Sequence, residues 1–215
     1  MKEIRVTLIG DGSSDKILTI ISKWLLDNLF PQTAISIDFA DFRQLPNPPD
    51  KSDIQKQIEY AAKYFPFDLL IYHRDAESND LRMVESRKNE ILNHLNDRHK
   101  NIMVCVIPVK MMETWLLINK DAIKKAAGNR NFREEIDLPP INRLEKESNP
   151  KEKIIEILKK VSGLKGRRLA KFNAHQAIHY IAENITDYSI LRHLEAFKIF
   201  ENDLTIAFNN LLMKS

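Results

Sequence analysis

Two carboxylates one residue apart, Asp75 and Glu77, follow directly on the apolar run Phe67 to Tyr72. If that run is a strand, alternation with period two points both acids the same way. Acids at the carboxyl end of a buried strand lie where open α/β sheets keep their ligands. Two neighbouring ionised carboxylates repel unless a cation or a proton compensates, and a divalent metal does so most simply. The plainer alternative is a solvated loop with two incidental acids. Asp11 stands at the exit of a first strand-like run, beside a helix start, and reads equally as a turn residue. Glu113 opens a short apolar segment, where a helix N-terminus favours a carboxylate by about 0.5 kcal/mol. The densest basic stretch, Gly163 to Lys171, carries Lys165, Arg167, Arg168 and Lys171; it suits a polyanion or a solvated loop between helices. His175 and His179 have i, i+4 spacing, but no glutamate stands beside His175 as the zinc-binding His-Glu-x-x-His pattern requires.

The elements that position these residues alternate. Ile4 to Ile9 reads as a strand, followed by Gly10–Asp15 and a helix to about Leu29 with an apolar face from Ile17 to Leu29. The turn is neither a phosphate-binding Walker loop nor a dinucleotide fingerprint, since the lysine and the third glycine are missing. Ala34 to Ala40 forms a second strand, and Asp50 or Ser52 caps a helix carrying Ile54, Ile58 and Phe65. The Phe67–Tyr72 strand, a polar helix from about Asp80 to Arg98 and an Ile102–Ile107 strand complete the series. This implies an α/β fold: a mainly parallel four-stranded sheet with helices on both faces and a C-terminal helical extension. Residues 1–120 are expected to form the α/β domain, and 121–215 a basic helical extension packed on it. Within the latter, helices are expected at about Pro150–Val161, Asn173–Asn184 and Ser189–Leu212.

Composition narrows the classes. The chain has 215 residues, 43% of them hydrophobic and 29% charged, as in a soluble globular protein. Residues 1–120 carry 16 Lys and Arg against 17 Asp and Glu, whereas residues 121–215 carry 17 against 13. The single cysteine, Cys105, forms no internal disulfide and suits a reducing cytoplasm, as a small core residue. No apolar run is long enough to suggest a membrane anchor, and no leader is expected.

Asp11-Gly12 with Asp15, then Arg74-Asp75-Ala76-Glu77, resembles the two signatures of TOPRIM domains, the metal-dependent α/β domains of topoisomerases, bacterial primases, OLD-family nucleases and small ribonucleases. The similarity is greatest to small stand-alone TOPRIM-like bacterial proteins, which carry a segment matched here by Pro108, Glu113, Trp115, Leu116 and Leu117. It covers about residues 1–118, with a looser match to the basic segment and to Phe197, Phe200 and Phe208. Asp11 replaces the usual glutamate and Glu77 the usual aspartate, so each carboxylate remains but its reach differs by one methylene.

The resemblance implies a Mg²⁺ (or Mn²⁺) site held by Asp75 and Glu77. Asp11 completes it or acts as general base on the attacking water, and Glu113 fills out a second metal position. Lys165, Arg167, Arg168 and Lys171 would then bind nucleic-acid phosphates. The expected activity is hydrolysis of DNA or RNA phosphodiesters, in phage defence and with room for a partner ATPase. A non-catalytic nucleic-acid-binding protein and a small-substrate phosphatase are the alternatives.

Overall fold

In the computed structural model, which describes residues 3–95 and 97–214, strand order decides where a ligand site belongs. The strands are β1 (Ile4–Ile9), β2 (Ile35–Phe39), β3 (Leu69–His73) and β4 (Met103–Val106). Among the described residues they form one all-parallel sheet in the order β2-β1-β3-β4. The chain leaves β1 toward β2 on one side and returns to β3 on the other. The strand order therefore reverses between β1 and β3, where carboxyl ends open a crevice. Register pairs Val6 with Leu69 and Ile9 with Tyr72 across this junction.

Each element follows from its residues. The four strands are apolar and rich in branched side chains; β3 and β4 are buried throughout, as parallel strands covered on both faces must be. α1 (Ile17–Leu29) buries Ile17, Leu18, Ile21, Leu25 and Leu26 along one stripe. It is preceded by a 3₁₀ turn, Ser13–Lys16, and Asp15 bonds back to Gly12 rather than capping the helix from outside. α2 (Ile54–Tyr64) is capped by Asp53, whose carboxylate accepts from Lys56 N–H at 2.9 Å. Asp50 instead closes a turn onto Ser52. The predicted polar helix is two pieces, α3 (Leu81–Asn93) and α4 (Asp97–Lys100).

Beyond β4, the Met112–Leu116 segment is a 3₁₀ turn. α5 (Lys120–Ala126), α6 (Pro150–Ser162), α7 (Gly166–Ala170), α8 (Ala174–Asn184) and α9 (Glu195–Leu212) follow. Proline at N1 and left-handed Gly163 (φ 66°) delimit α6. The expected Ser189–Leu212 helix begins as a separate 3₁₀ turn, Ser189–His193. α9 packs on β3, β4 and α3, and α8 packs on α1, α5 and α6. One hydrophobic cluster consequently runs through both halves, from Val6 and Ile71 to Trp115, Ile178 and Phe208. Tyr188 is fully buried with its hydroxyl donating to Ala182 O, whereas Trp24 is only partly buried and packs edge-on against Tyr188. Among the described residues no helix is long and apolar enough to cross a membrane.

Candidate functional site

At the end of β1 the chain turns through Gly10, Asp11 and Gly12. Asp11 is exposed, while Asp15 is 8% exposed and folds back over the turn, accepting from Gly12 N–H at 2.9 Å. Gly10 is required there: a Cβ at this position would lie 2.7 Å from Asp15 Cβ and 2.8 Å from its Oδ2. Gly10→Ala is therefore expected to push Asp15 out of place and destabilise the fold by about 1–3 kcal/mol. Thermal unfolding of the variant beside the parent checks this.

β3 ends in His73, which is 1% exposed. Its Nδ1 lies 3.0 Å from Val106 O, and a carbonyl only accepts, so Nδ1 carries a proton. Nε2 consequently faces two acids, Asp75 Oδ1 at 3.5 Å and Asp15 Oδ2 at 4.0 Å. The N–H of Met112 donates to Asp75 Oδ1 at 3.0 Å, so the 3₁₀ turn after β4 fastens this carboxylate from the other side. The next residue, Glu113, is 4% exposed, with Oε1 3.6 Å from Lys151 Nζ at the start of α6. Burial pushes the Asp75 carboxyl up to about 6; the charges of Glu113 and Asp15 push the same way, and His73 and the Met112 N–H oppose them.

Asp15 and Asp75 thus face the same ring nitrogen of His73 beside the switch between β1 and β3, Glu113 lies near enough for its charge to act on Asp75, and Asp11 is exposed on the turn after β1. Glu77 is placed differently. The strand stops at His73, so alternation does not carry through to residue 77, which has a left-handed backbone (φ 55°). Its side chain is 74% exposed and meets Arg87 of α3 at 3.1 Å. Across from it Lys110 is also left-handed (φ 62°), and the two loops bond backbone to backbone, Glu77 N–H to Lys110 O and Lys110 N–H to Ser78 O.

Asp15, part of the first signature, and His73, a packed histidine of the strand pattern, are given no role in the site by sequence reasoning. A signal for His73 existed: it precedes Asp75 by two, the spacing that puts side chains on one side of a strand. α8 lies close enough that His179 feels Lys16 and Asp15; its pKa is lowered, by burial first, then by Lys16 and His175 against Glu183 and Asp15. Lys165, Arg167, Arg168 and Lys171 surround α7, all exposed and with no ion pair among the described residues. Arg74 Nη2 donates to Lys51 O at 2.9 Å, and Lys51 Nζ donates to Asp11 O. The segment before α2 is thereby tied to both acid-bearing strand ends.

As they stand, no group of three or more His, Cys, Asp or Glu among the described residues is gathered tightly enough to hold a metal ion. Mg²⁺, however, is commonly bound through one or two carboxylates, water and substrate phosphates. Asp75 has one oxygen committed to Met112 and His73 and a second with no hydrogen bond among the described residues, which fits that mode. No family model, curated protein or solved structure matches the chain.

Proposed function

We propose that the protein is a TOPRIM-like, Mg²⁺- or Mn²⁺-dependent phosphoryl-transfer enzyme, a nuclease hydrolysing phosphodiesters of DNA or RNA. One observation carries this reading: Asp15 and Asp75, from separate elements, face one point at His73 where the order of parallel strands reverses, with the charge of Glu113 acting on Asp75. A divalent cation held there supplies Lewis-acid polarisation of the phosphate and an activated water. Asp75 and Glu113 offer the inner oxygens, and Asp15 stays on Gly12 N–H as an orienting acid. Asp11, exposed at the mouth, accepts the proton of the attacking water. His73, anchored on Val106 O, fixes Asp75 and balances its charge when protonated. Glu77, assigned to the metal by resemblance, points outward and pairs with Arg87, so it is given no part in holding the cation here.

The unpaired cations around α7 contribute phosphate contacts that position a polyanion without reading its sequence. Each lost contact lowers the salt slope of binding by about 0.7 on single strands and 0.9 on duplex. The double variant Arg167→Ala, Arg168→Ala is expected to reduce that slope by about 1.4 to 1.8. Filter binding across salt concentrations measures this, and an unchanged slope removes α7 from the interface. The lone cysteine, Cys105, is buried, and burial pushes its thiol up to about 12, so it is an inert core residue and not a nucleophile of the site.

Incubating labelled single-stranded and duplex DNA and RNA with Mg²⁺, Mn²⁺ or EDTA tests the proposal. Cleavage that needs metal and disappears in Asp75→Asn is expected. Glu77's outward pairing with Arg87 favours a second reading, a nucleic-acid-binding protein without catalysis. Salt-sensitive binding with no cleavage under any metal would select it.

A further inference from the structure

Beside the acids, at the carboxyl ends of β1 and β2, lies a cleft of about 670 Å³ whose lining, Asp11 apart, none of the roles above uses. Its volume falls within the roughly 300–1,000 Å³ of small-molecule sites. We infer that this cleft is a nucleobase subsite: it accepts the base of a nucleotide whose phosphate lies at Asp11 and Asp75. The substrate class is therefore single-stranded nucleic acid, since a base inside a duplex enters only after costly unstacking and unpairing. This inference rests on the phosphoryl-transfer reading for the phosphate, and on the cleft itself for the base.

The lining suits a flat, polar-edged ring. Phe39 and Phe42 are half-buried aromatics at the cleft, and Pro48 and Pro49 supply a further apolar surface. Phe42 packs edge-on against Phe65, with centroids 6.0 Å apart and planes at 73°, which holds its ring in one orientation. Such surfaces take bases by stacking, a contact every base can make. Gln57, 4% exposed, also lines the cleft. Its Nε2 donates to Asp50 O at 3.0 Å and its Oε1 accepts from Tyr72 hydroxyl at 2.9 Å. A side-chain amide has two N–H donors and two acceptor lone pairs, so one of each remains, the pair that a base edge complements.

Position completes the argument. The Gly10–Ser13 turn, which carries Asp11, is one side of the cleft, and Lys51 on another side donates to Asp11 O. A base seated between Phe42 and the prolines therefore has its phosphate beside the acids, where a cationic rim of Lys51 and Arg43 faces it. Arg43 is held by Asp41 at 2.6 Å and remains 63% exposed, so it can meet solvent-side phosphate oxygens.

The test is NMR titration of the full chain, in EDTA, with adenosine, cytidine and ribose. Both nucleosides are expected to shift signals of residues 39–43 and 48–57, ribose to shift none, and Phe42→Ala to weaken binding about tenfold. Phe42→Trp, which keeps a stacking surface, is expected to retain it and guards against loss through misfolding. Nucleosides that do not bind, or bind no better than ribose, overturn the inference even if metal-dependent cleavage is present. Nucleoside binding in the cleft with no cleavage of any substrate keeps the subsite and removes the phosphoryl-transfer reading.

Discussion

Replacing Asp75 by asparagine is expected to reduce metal-dependent phosphodiester cleavage by more than about a hundredfold, since even partners behind a metal ligand cost 10–100-fold. The substitution keeps size and shape. Its carbonyl oxygen can still accept from Met112 N–H, so the junction between β3 and the 3₁₀ turn stays closed. What disappears is the charge, and with it the repulsion from Glu113 and Asp15 that only a cation or a proton relieves. The variant is thus expected to fold as well as the parent or slightly better, while losing activity. Initial cleavage rates and melting temperatures measured side by side separate the two effects. The same group sets a pH dependence. Because burial raises its pKa to about 6, a proton competes with the cation below that pH and leaves above it. Activity in the parent should rise as pH passes through about 6, and the variant should lack that limb.

The largest effect on stability is expected at Trp115. Its ring is fully buried, edge-on to Phe197 at 5.2 Å and stacked on Phe200 at 6.2 Å. It therefore joins α9 to the turn whose first residues fasten Asp75 and carry Glu113. Trp115→Ala removes that volume at a cost of about 3–5 kcal/mol. For a chain of this size each kcal/mol shifts the melting temperature by about 2–4 °C, so a fall of about 6–20 °C is expected. Among the described residues the buried indole N–H has no hydrogen-bond partner. Trp115→Phe keeps a ring against both phenylalanines and removes an unpaired donor, so it should cost far less than Trp115→Ala. Equal losses in the two variants would show that the N–H matters more than the ring.

Much of the scaffold was legible in the sequence because local patterns and tertiary burial agree there. β1 to β4 are apolar runs interrupted by turn residues, and α1 and α6 have a single buried stripe with clear ends. The caps were less legible. Asp50, Ser52 and Asp53 all carry an oxygen able to accept a capping N–H, and only backbone geometry selects Asp53 for α2. The site was legible in part. Strand ends identified Asp11, Asp75 and Glu113, yet the buried acid on the first turn is Asp15, four residues on. The reversal of chain direction through Gly10–Gly12 brings it back over the sheet, and spacing alone does not reveal that. Glu77 was read by strand alternation, which stops once the backbone leaves the extended region at φ 55°. His73 combines both lessons: it is buried as an apolar strand residue would be, yet folding brings to it Asp15, 58 residues earlier, and Val106 O, 33 residues later, beside its near neighbour Asp75.

The central claim is that the acids between β1 and β3 bind a divalent cation. Calorimetric titration of Mn²⁺ into the parent and into Asp75→Asn at pH 7.5 tests it most directly. The account predicts saturable binding in the parent that is lost, or weakened at least tenfold, in the variant. Heats that are the same for both proteins, or no binding in the parent, would contradict it.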